Sequence, residues 1–294
     1  MLMAPFVRFA PMVFVMLWST GFIVARYGTA DSGPLTFLSI RVAIAASILW
    51  VLSRIAKEAA LTRREKVVQM ISGLGIHGLY LGGVFVAIDL GLPSGVSALI
   101  AALHPVVTTV FGRVLLREVM NRRRVLGVVL GCIGVVVVVV ERGGATDSVS
   151  TSALIAMGVA VLGMSAGTLL QRQFAVSTPL LGGTAWQYLS SALLFSMGAM
   201  FFEDWEFSVT PQSLGALAWS VGILSLGAIL IMLWLLKRQA ASQVSSLFFL
   251  TPALSTIQGA LLFGESLGVL SLIGLVVALL GVWLATTMSH SATT

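Results

Sequence analysis

The chain has 294 residues, of which 58% are hydrophobic and only 10% are charged, and its mean hydropathy is +1.03. Soluble domains contain roughly 25% charged residues, so this composition excludes a soluble globular protein and indicates an integral membrane protein. The net charge of +6 does not indicate a nucleic-acid partner, because most of the basic residues lie in alternate connections between apolar segments.

Ten apolar stretches are long enough to cross about 30 Å of hydrocarbon. In chain order they run approximately over 9–26, 34–53, 67–88, 95–115, 124–140, 152–171, 181–201, 213–235, 241–263 and 267–287. The sequence therefore predicts an all-α integral membrane protein with ten transmembrane helices. Only two connections, 54–66 and 141–151, are longer and polar, so no soluble domain is expected.

The basic residues predict the orientation of these helices. If the N-terminus is cytoplasmic, 14 Lys and Arg residues fall in inner segments, and only Arg26 and Arg142 fall in outer ones. This is the positive-inside distribution of a multi-pass protein. We therefore expect a bacterial inner-membrane protein with both termini in the cytoplasm.

The first two helices each contain one candidate functional residue. Trp18 lies in the first, and Arg41 places a cation within the second. Such residues are costly deep in a span unless they face a cavity or a partner. For Trp18 the alternative is a core filler. Arg41 is expected either to organise a helix interface or to attract a carboxylate.

His77 and Tyr80 lie one turn apart near the middle of the third helix. His77 is a candidate pH-sensitive binding group, and a histidine bonded to a neighbouring helix is the alternative. Asp89 ends this helix and is a candidate for proton coupling. The ordinary role of Asp89 and the other outer acidic residues, Glu141, Glu203 and Glu265 among them, is a solvated loop end.

Pro105 in the fourth helix and Pro252 in the ninth each remove a mid-helix backbone hydrogen bond. The expected result is a kink at each position. Because neighbouring groups can satisfy the freed carbonyl within a membrane, we interpret both prolines as hinges. Each is followed thirteen residues later by a glutamate, Glu118 or Glu265.

Small residues recur at helical spacing in the fifth and tenth helices. They are Gly127, Gly131 and Gly134 in one, and Gly274, Ala278 and Gly281 in the other. In lipid this spacing permits close approach of helix backbones, so both helices are expected to be structural. Cys132, the single cysteine, is expected to be a small packing residue, with no disulfide and no zinc-type ligand pair.

In the second half, Trp186, Gln187 and Ser245 are the remaining candidates for a binding site. The predicted substrate pocket has aromatic walls that stack an apolar side chain, with an amide, a phenol and an imidazole that bond an amino-acid backbone. Its residues are Trp18, His77, Tyr80, Trp186, Gln187 and Ser245. Neither a metal nor a cofactor is expected.

The two halves of the chain share a pattern at an offset of 147 residues. Pro105 pairs with Pro252, Glu118 with Glu265, Gly127 with Gly274 and Gly134 with Gly281. Each half contains five predicted spans, an odd number, so the second copy enters the membrane from the opposite side. We expect two inverted five-helix repeats, 1–140 and 152–294, joined by an outer linker at 141–151.

Several of these motifs together resemble the EamA-type transporters of the drug/metabolite transporter superfamily, over the whole chain. They are the Pro-to-Glu spacing, Arg41 with its counterpart pair Trp186-Gln187, and the run Leu17-Trp18-Ser19-Thr20-Gly21-Phe22. The usual Gly-Glu is present as Gly264-Glu265 but is Arg117-Glu118 in the first half, which leaves Glu118 with capping or charge pairing as its role.

The resemblance implies ten helices, a central cavity, and export of amino acids or related metabolites. The aromatic-rich pocket set is similar to that of exporters of aromatic and neutral amino acids. The partners expected are therefore a small-molecule substrate and the lipid bilayer. A drug or nucleotide-sugar carrier is the alternative within the same class.

Proteins of other classes need features that this sequence lacks. A membrane-embedded enzyme needs a nucleophile with a base, or a metal cluster, and neither pattern is present. An ATP-driven pump needs a phosphate-binding Gly-x-x-x-x-Gly-Lys-Ser/Thr motif, which is absent. A channel remains an alternative, although no charge ring or carbonyl filter motif is evident.

Overall fold

A computed structural model of the chain describes residues 3–117, 121–143, 150–174, 178–228, 231, 250–265 and 268–286. Within these ranges the protein is helical, and the only β-type pairing is an isolated antiparallel bridge between Ser32 and Phe207. The expected all-α class is confirmed for this part of the chain.

The described residues form twelve α-helices and two π-helical segments. The α-helices are α1 Met3–Thr29, α2 Pro34–Ile55, α3 Arg63–Gly73, α4 Tyr80–Asp89, α5 Ser94–Ala101, α6 His104–Leu116, α7 Arg122–Gly143, α8 Thr151–Phe174, α9 Leu180–Phe202, α10 Pro211–Trp219, α11 Thr251–Phe263 and α12 Val269–Thr286. The first π segment, Leu74–Leu79, joins α3 to α4, and the second, Ser220–Ala228, continues α10.

Six helical stretches are long and apolar enough to cross a membrane. They are Ala10–Thr29, Pro34–Ile55, Arg63–Asp89, Ser94–Leu115, Arg122–Glu141 and Thr151–Phe174, and Val269–Ala285 is a shorter apolar helix. Their number and composition make this a multi-pass membrane protein.

Helices α7 and α12 pack backbone against backbone in antiparallel orientation. A Cβ atom added at Gly127 would lie 2.4 Å from the backbone nitrogen of Ala285, and one added at Gly134 would lie 2.4 Å from that of Ala278. Only glycine allows this approach, so the structural role expected for the small-residue spacing is confirmed. Cys132 on α7 is exposed instead, and the expectation that it is a packing residue is wrong.

The helix around Pro105 differs from the expected continuous, kinked span. α5 ends at Ala101, α6 begins at His104, and Pro105 lies in the first turn of α6. Proline has no N–H to donate to the carbonyl four residues earlier. Here the ring Nδ1 of His104 lies 3.2 Å from that carbonyl oxygen, on Ala101, and satisfies it. Pro252 likewise lies in the first turn of its helix, α11.

Helices α6 and α11 also end alike. Each has thirteen residues, and each is followed by a residue in the left-handed region, Arg117 at φ 55° and Gly264 at φ 67°. Glycine adopts this conformation without steric cost, whereas an arginine there costs roughly 1–2 kcal/mol. The first half has Arg117 where the second has Gly264, but both helices end in the same left-handed backbone conformation.

Candidate functional site

A row of polar side chains lies buried between α3, the first π segment and α9. Nε2 of His77 lies 3.0 Å from Oε1 of Gln187, and Nε2 of Gln187 donates to Oε1 of Gln69 at 2.5 Å. Gln69 and Gln187 are only 2% and 3% exposed. Polar groups in an apolar interior must satisfy one another, so these contacts connect two of the predicted site residues, His77 and Gln187.

Glycines allow the helix backbones to approach closely beside this row of polar side chains. A Cβ at Gly73 would lie 2.4 Å from Cα of Gln187, and one at Gly75 would lie 2.5 Å from the carbonyl oxygen of Gly163 on α8. The π-helical winding of Leu74–Leu79 begins between these two glycines. Segments of this kind are frequent at functional sites, and the one observed here carries His77.

Arg41 on α2 lies beside this row and is also buried, with 5% of its surface exposed. Its Nε donates to Oγ of Ser225 at 3.3 Å, and its guanidinium lies 5.9 Å from the ring centroid of Phe85. Ser225 belongs to the second π segment. Arg41 therefore connects α2 to that segment through a neutral hydroxyl.

Tyr188 joins the arginine to the histidine. Its ring centroid lies 4.5 Å from that of His77, and its hydroxyl lies near Ser225 and near the charge of Arg41. We call this group the Arg41–His77 cluster. Its members are Arg41, Gln69, His77, Gln187, Tyr188 and Ser225.

The other predicted pocket residues lie elsewhere. Trp18 packs on Phe14, with ring centroids 5.5 Å apart, in a separate hydrophobic cluster that includes Ala228. Trp186 lies under Lys66, whose Nζ is 5.3 Å from the ring centroid. Successive helical residues are rotated by roughly 100°, so Trp186 and Gln187 face different neighbours.

Tyr80 is partly buried and packs against the main hydrophobic core. Ser245 lies outside the described residues, as does Glu118. Asp89 is exposed at the end of α4. The structure therefore brings together His77 and Gln187, whereas the pocket role of the other four residues remains a prediction.

Glu265 is not the solvated loop end that the sequence suggested. Its Oε1 accepts from Nη1 of Arg26 at 2.6 Å, and its side chain is 9% exposed. The same carboxylate accepts the backbone N–H groups of Ser94 at 3.1 Å and Gly95 at 3.5 Å. Glu265 thus caps the N-terminus of α5, where a carboxylate is favoured by the free N–H groups and the helix dipole.

Three further glutamates cap helices to which they do not belong. Glu203 accepts from the N–H groups of Leu35 and Thr36 at the start of α2, both at 2.8 Å. The others are Glu58, bonded to Leu181 and Gly182 at the start of α9, and Glu141, bonded to Ser271 near the start of α12. Sequence patterns did not indicate these caps, because acid and helix are distant in the chain.

The capping by Glu58 and Glu203 is reciprocal. Glu58 follows α2 and caps α9, whereas Glu203 follows α9 and caps α2. The two helices are therefore antiparallel and bonded at both ends. At the α2 start, Thr210 Oγ1 also donates to Asp31 Oδ2 at 2.7 Å, which adds α10 to this end of the bundle.

A groove of about 340 Å³ lies between α1 and α10. Nε1 of Trp219 donates to Oγ1 of Thr20 at 2.9 Å within its lining. The lining residues are Thr20, Ile23, Val24, Tyr27, Pro211, Gln212, Gly215, Ala216 and Trp219. Those lining residues include none of the predicted pocket set.

The EamA-like transporter family matches residues 8–140 and matches residues 151–287 a second time. The "Probable amino-acid metabolite efflux pump" of Salmonella typhimurium is 23% identical over 294 residues, which covers 94% of this chain and 93% of that protein. The "Uncharacterized transporter YvbV" of Bacillus subtilis is 25% identical, with 94% and 90% covered. "Protein PecM" of Dickeya dadantii is 26% identical, with 92% and 88% covered.

A solved structure is similar to this chain with a TM-score of 0.66. The two sequences are 21% identical, and the match covers 94% of this chain and 95% of that one. At 21% identity, this likeness establishes that the two proteins share a fold and nothing more.

Proposed function

The chain belongs to the EamA-like transporter family, and from this premise we propose that it is a secondary transporter that exports aromatic or neutral amino acids across the bacterial inner membrane. The relative from Salmonella named as a "Probable amino-acid metabolite efflux pump" supports amino acids or their metabolites as substrates and efflux as the direction. The Arg41–His77 cluster is the observation that carries the proposal, because buried ionisable and amide side chains in apolar helices mark substrate pathways.

We further propose that ten transmembrane helices form two inverted repeats, 1–140 and 152–294, connected by an outer linker at 141–151. Two structural features recur at the 147-residue offset. The first π segment, shifted by this offset, falls within the second, and the paired prolines begin helices with matching left-handed ends. Inverted repeats place a shared site at their interface, and the Arg41–His77 cluster draws residues from both halves.

In the proposed orientation both termini are cytoplasmic, and Arg26 with Glu265 lies on the outer face. The ion pair and the helix cap on that face then hold α1 and α5 against Glu265, two residues after the end of α11. We propose that this arrangement is a conformation closed toward the outside. Alternating access requires these contacts to open when the site faces outward.

Counterflow of labelled amino acids into proteoliposomes is expected to be saturable for phenylalanine and tryptophan. Gln187→Leu is expected to lower this uptake by about tenfold or more, because it removes the group that joins His77 to Gln69. Trp186→Ala tests the predicted aromatic wall in the same assay. Trp50→Ala is its matched control, because Trp50 is 57% exposed and is expected to face lipid.

Three other results of this assay would contradict the proposal. Counterflow of a nucleotide sugar or a drug without counterflow of amino acids would replace the proposed substrate class. Ion currents without saturable exchange would indicate a channel. Unchanged uptake in Gln187→Leu would remove the cluster from the transport pathway.

Pro105 and Pro252 are expected to act as hinges in the transport cycle. The double variant Pro105→Ala/Pro252→Ala should slow counterflow several-fold, because alanine favours a continuous helix across each break. Equilibrium binding of the same amino acid should change little. Transport rates equal to those of the unmodified protein would contradict the hinge role.

A further inference from the structure

The charge of Arg41 has no partner of opposite sign in the described part of the chain. The ion pair whose two members both lie in the described ranges joins Arg26 to Glu265. Of the eleven acidic residues, only Glu118 and Asp147 lie outside the described ranges, and by sequence both fall in polar connections after α6 and α7. The hydroxyl of Ser225, at 3.3 Å, is a neutral acceptor.

A buried guanidinium without a counter-charge is energetically unfavourable. Arginine retains its proton in proteins, so it cannot escape the cost of burial by becoming neutral as a histidine does. A buried charge is normally paired. A cation held in this way, in the interior of a transporter, provides a site for an anion that enters from solution.

We propose that Arg41 is the carboxylate-binding residue of the transport site, with Ser225 as its hydroxyl partner and Tyr188 beside it. The proposal rests on the proposed function and names a chemical requirement for its substrate. A carboxylate matches the planar donor fork of arginine through two parallel hydrogen bonds. Only Nε of Arg41 is bonded to Ser225, so donors of the guanidinium remain for a ligand.

The position of Arg41 suits this role. Seven residues separate it from the start of α2, a rise of roughly 10 Å, so it lies well inside the span. Tyr188 packs on His77, which is bonded to Gln187. His77 and Gln187 would then bind the polar atoms of the substrate beside its carboxylate. The substrate must then contain a carboxylate, and an amine alone does not suffice.

The test compares ligands that differ in one group. L-phenylalanine, L-threonine and 3-phenylpropionate contain a carboxylate, L-phenylalaninamide contains the amine and ring without it, and phenyl phosphate offers a different anion. Each is measured as a competitor of phenylalanine counterflow and by its effect on the melting temperature of the purified protein. We expect the amide to compete at least about tenfold more weakly than phenylalanine.

Arg41→Met is expected to abolish the stabilisation by carboxylates and to lower counterflow by at least about tenfold. Without ligand, its melting temperature should equal or exceed that of the unmodified protein, because an unpaired buried charge has been removed. Arg54→Met is the matched control, since Arg54 lies on the same helix and is exposed. A large loss of stability in Arg41→Met alone would indicate a structural role and overturn the proposal.

The two proposals fail in different ways. If the amide competes as well as phenylalanine, or if no carboxylate stabilises the protein, the proposed role of Arg41 is overturned. The proposal of amino-acid transport still holds in that case if counterflow is observed. Stabilisation by carboxylates that requires Arg41, without any counterflow, overturns amino-acid transport and retains the binding site. Stabilisation by phenyl phosphate alone identifies a phosphate site and also overturns the proposal.

Discussion

Gly134→Val is expected to prevent α7 and α12 from packing and to destabilise the protein by about 3 kcal/mol or more. The three atoms nearest to the added Cβ would all belong to the backbone: the nitrogen of Ala278 at 2.4 Å, the carbonyl oxygen of Gly274 at 2.5 Å and Cα of Ala278 at 2.7 Å. No side-chain rotation relieves such a clash, so the helices must separate. Thermal melting of the detergent-purified protein, followed by size-exclusion chromatography, measures the effect.

Gly158→Val is the matched control for this substitution. It also places valine within a long apolar helix, α8, but a Cβ at Gly158 has no atom within 4 Å. Its melting temperature should fall by far less. Equal losses in the two variants would attribute the effect to helix propensity and not to the contact between α7 and α12.

The small-residue contact was predictable because the spacing of glycines around a helix encodes where another backbone approaches. Whether Cys132 faces a neighbouring helix or the outside of the protein was not predictable from the sequence of the same helix. In a soluble helix, polar residues mark the exposed side, but a helix surrounded by lipid is apolar on all sides. The sequence of α7 therefore indicates which residues are small without indicating which of them meet a neighbour.

The polar site was predictable only in part. His77 and Gln187 were identified because a polar side chain in a span requires a partner, and they are each other's partners. Gln69 and Ser225 follow from the same rule but were overlooked, since one lies near the start of a span and the other is a small hydroxyl. Trp18 lies in a different cluster, because an aromatic ring packs equally well against a helix, a lipid or a ligand.

The capping glutamates show a further limit of sequence patterns. A local capping box, such as Thr62 with Glu65 at the start of α3, can be recognised from residues three apart. Glu203 and Glu58 perform a similar task for helices more than 120 residues away. Their role depends on tertiary packing, which local spacing does not contain.

Glu265→Ala is expected to destabilise the proposed outward-closed form by about 2–3 kcal/mol. It leaves the N–H groups of Ser94 and Gly95 without their acceptor, and Ser94 is completely buried. Arg26→Ala is expected to cost about 1 kcal/mol or less, because the Arg26 side chain is 46% exposed and water screens the ion pair. The melting temperatures of Glu265→Ala, Arg26→Ala and the double variant distinguish the contribution of the helix cap to stability from that of the ion pair.

The cap is therefore expected to control access at this face more strongly than the ion pair does. Cys132 is the only cysteine, so Cys132→Ala provides a background in which Ser97→Cys, at a buried position on α5, reports opening. Glu265→Ala should raise the rate of Ser97→Cys labelling by a membrane-impermeant maleimide about 30-fold or more, because each 1.4 kcal/mol lost by the closed form corresponds to about tenfold. Arg26→Ala should raise it only a few-fold. If Arg26→Ala accelerates labelling as much as Glu265→Ala does, the ion pair and not the helix cap holds this face closed.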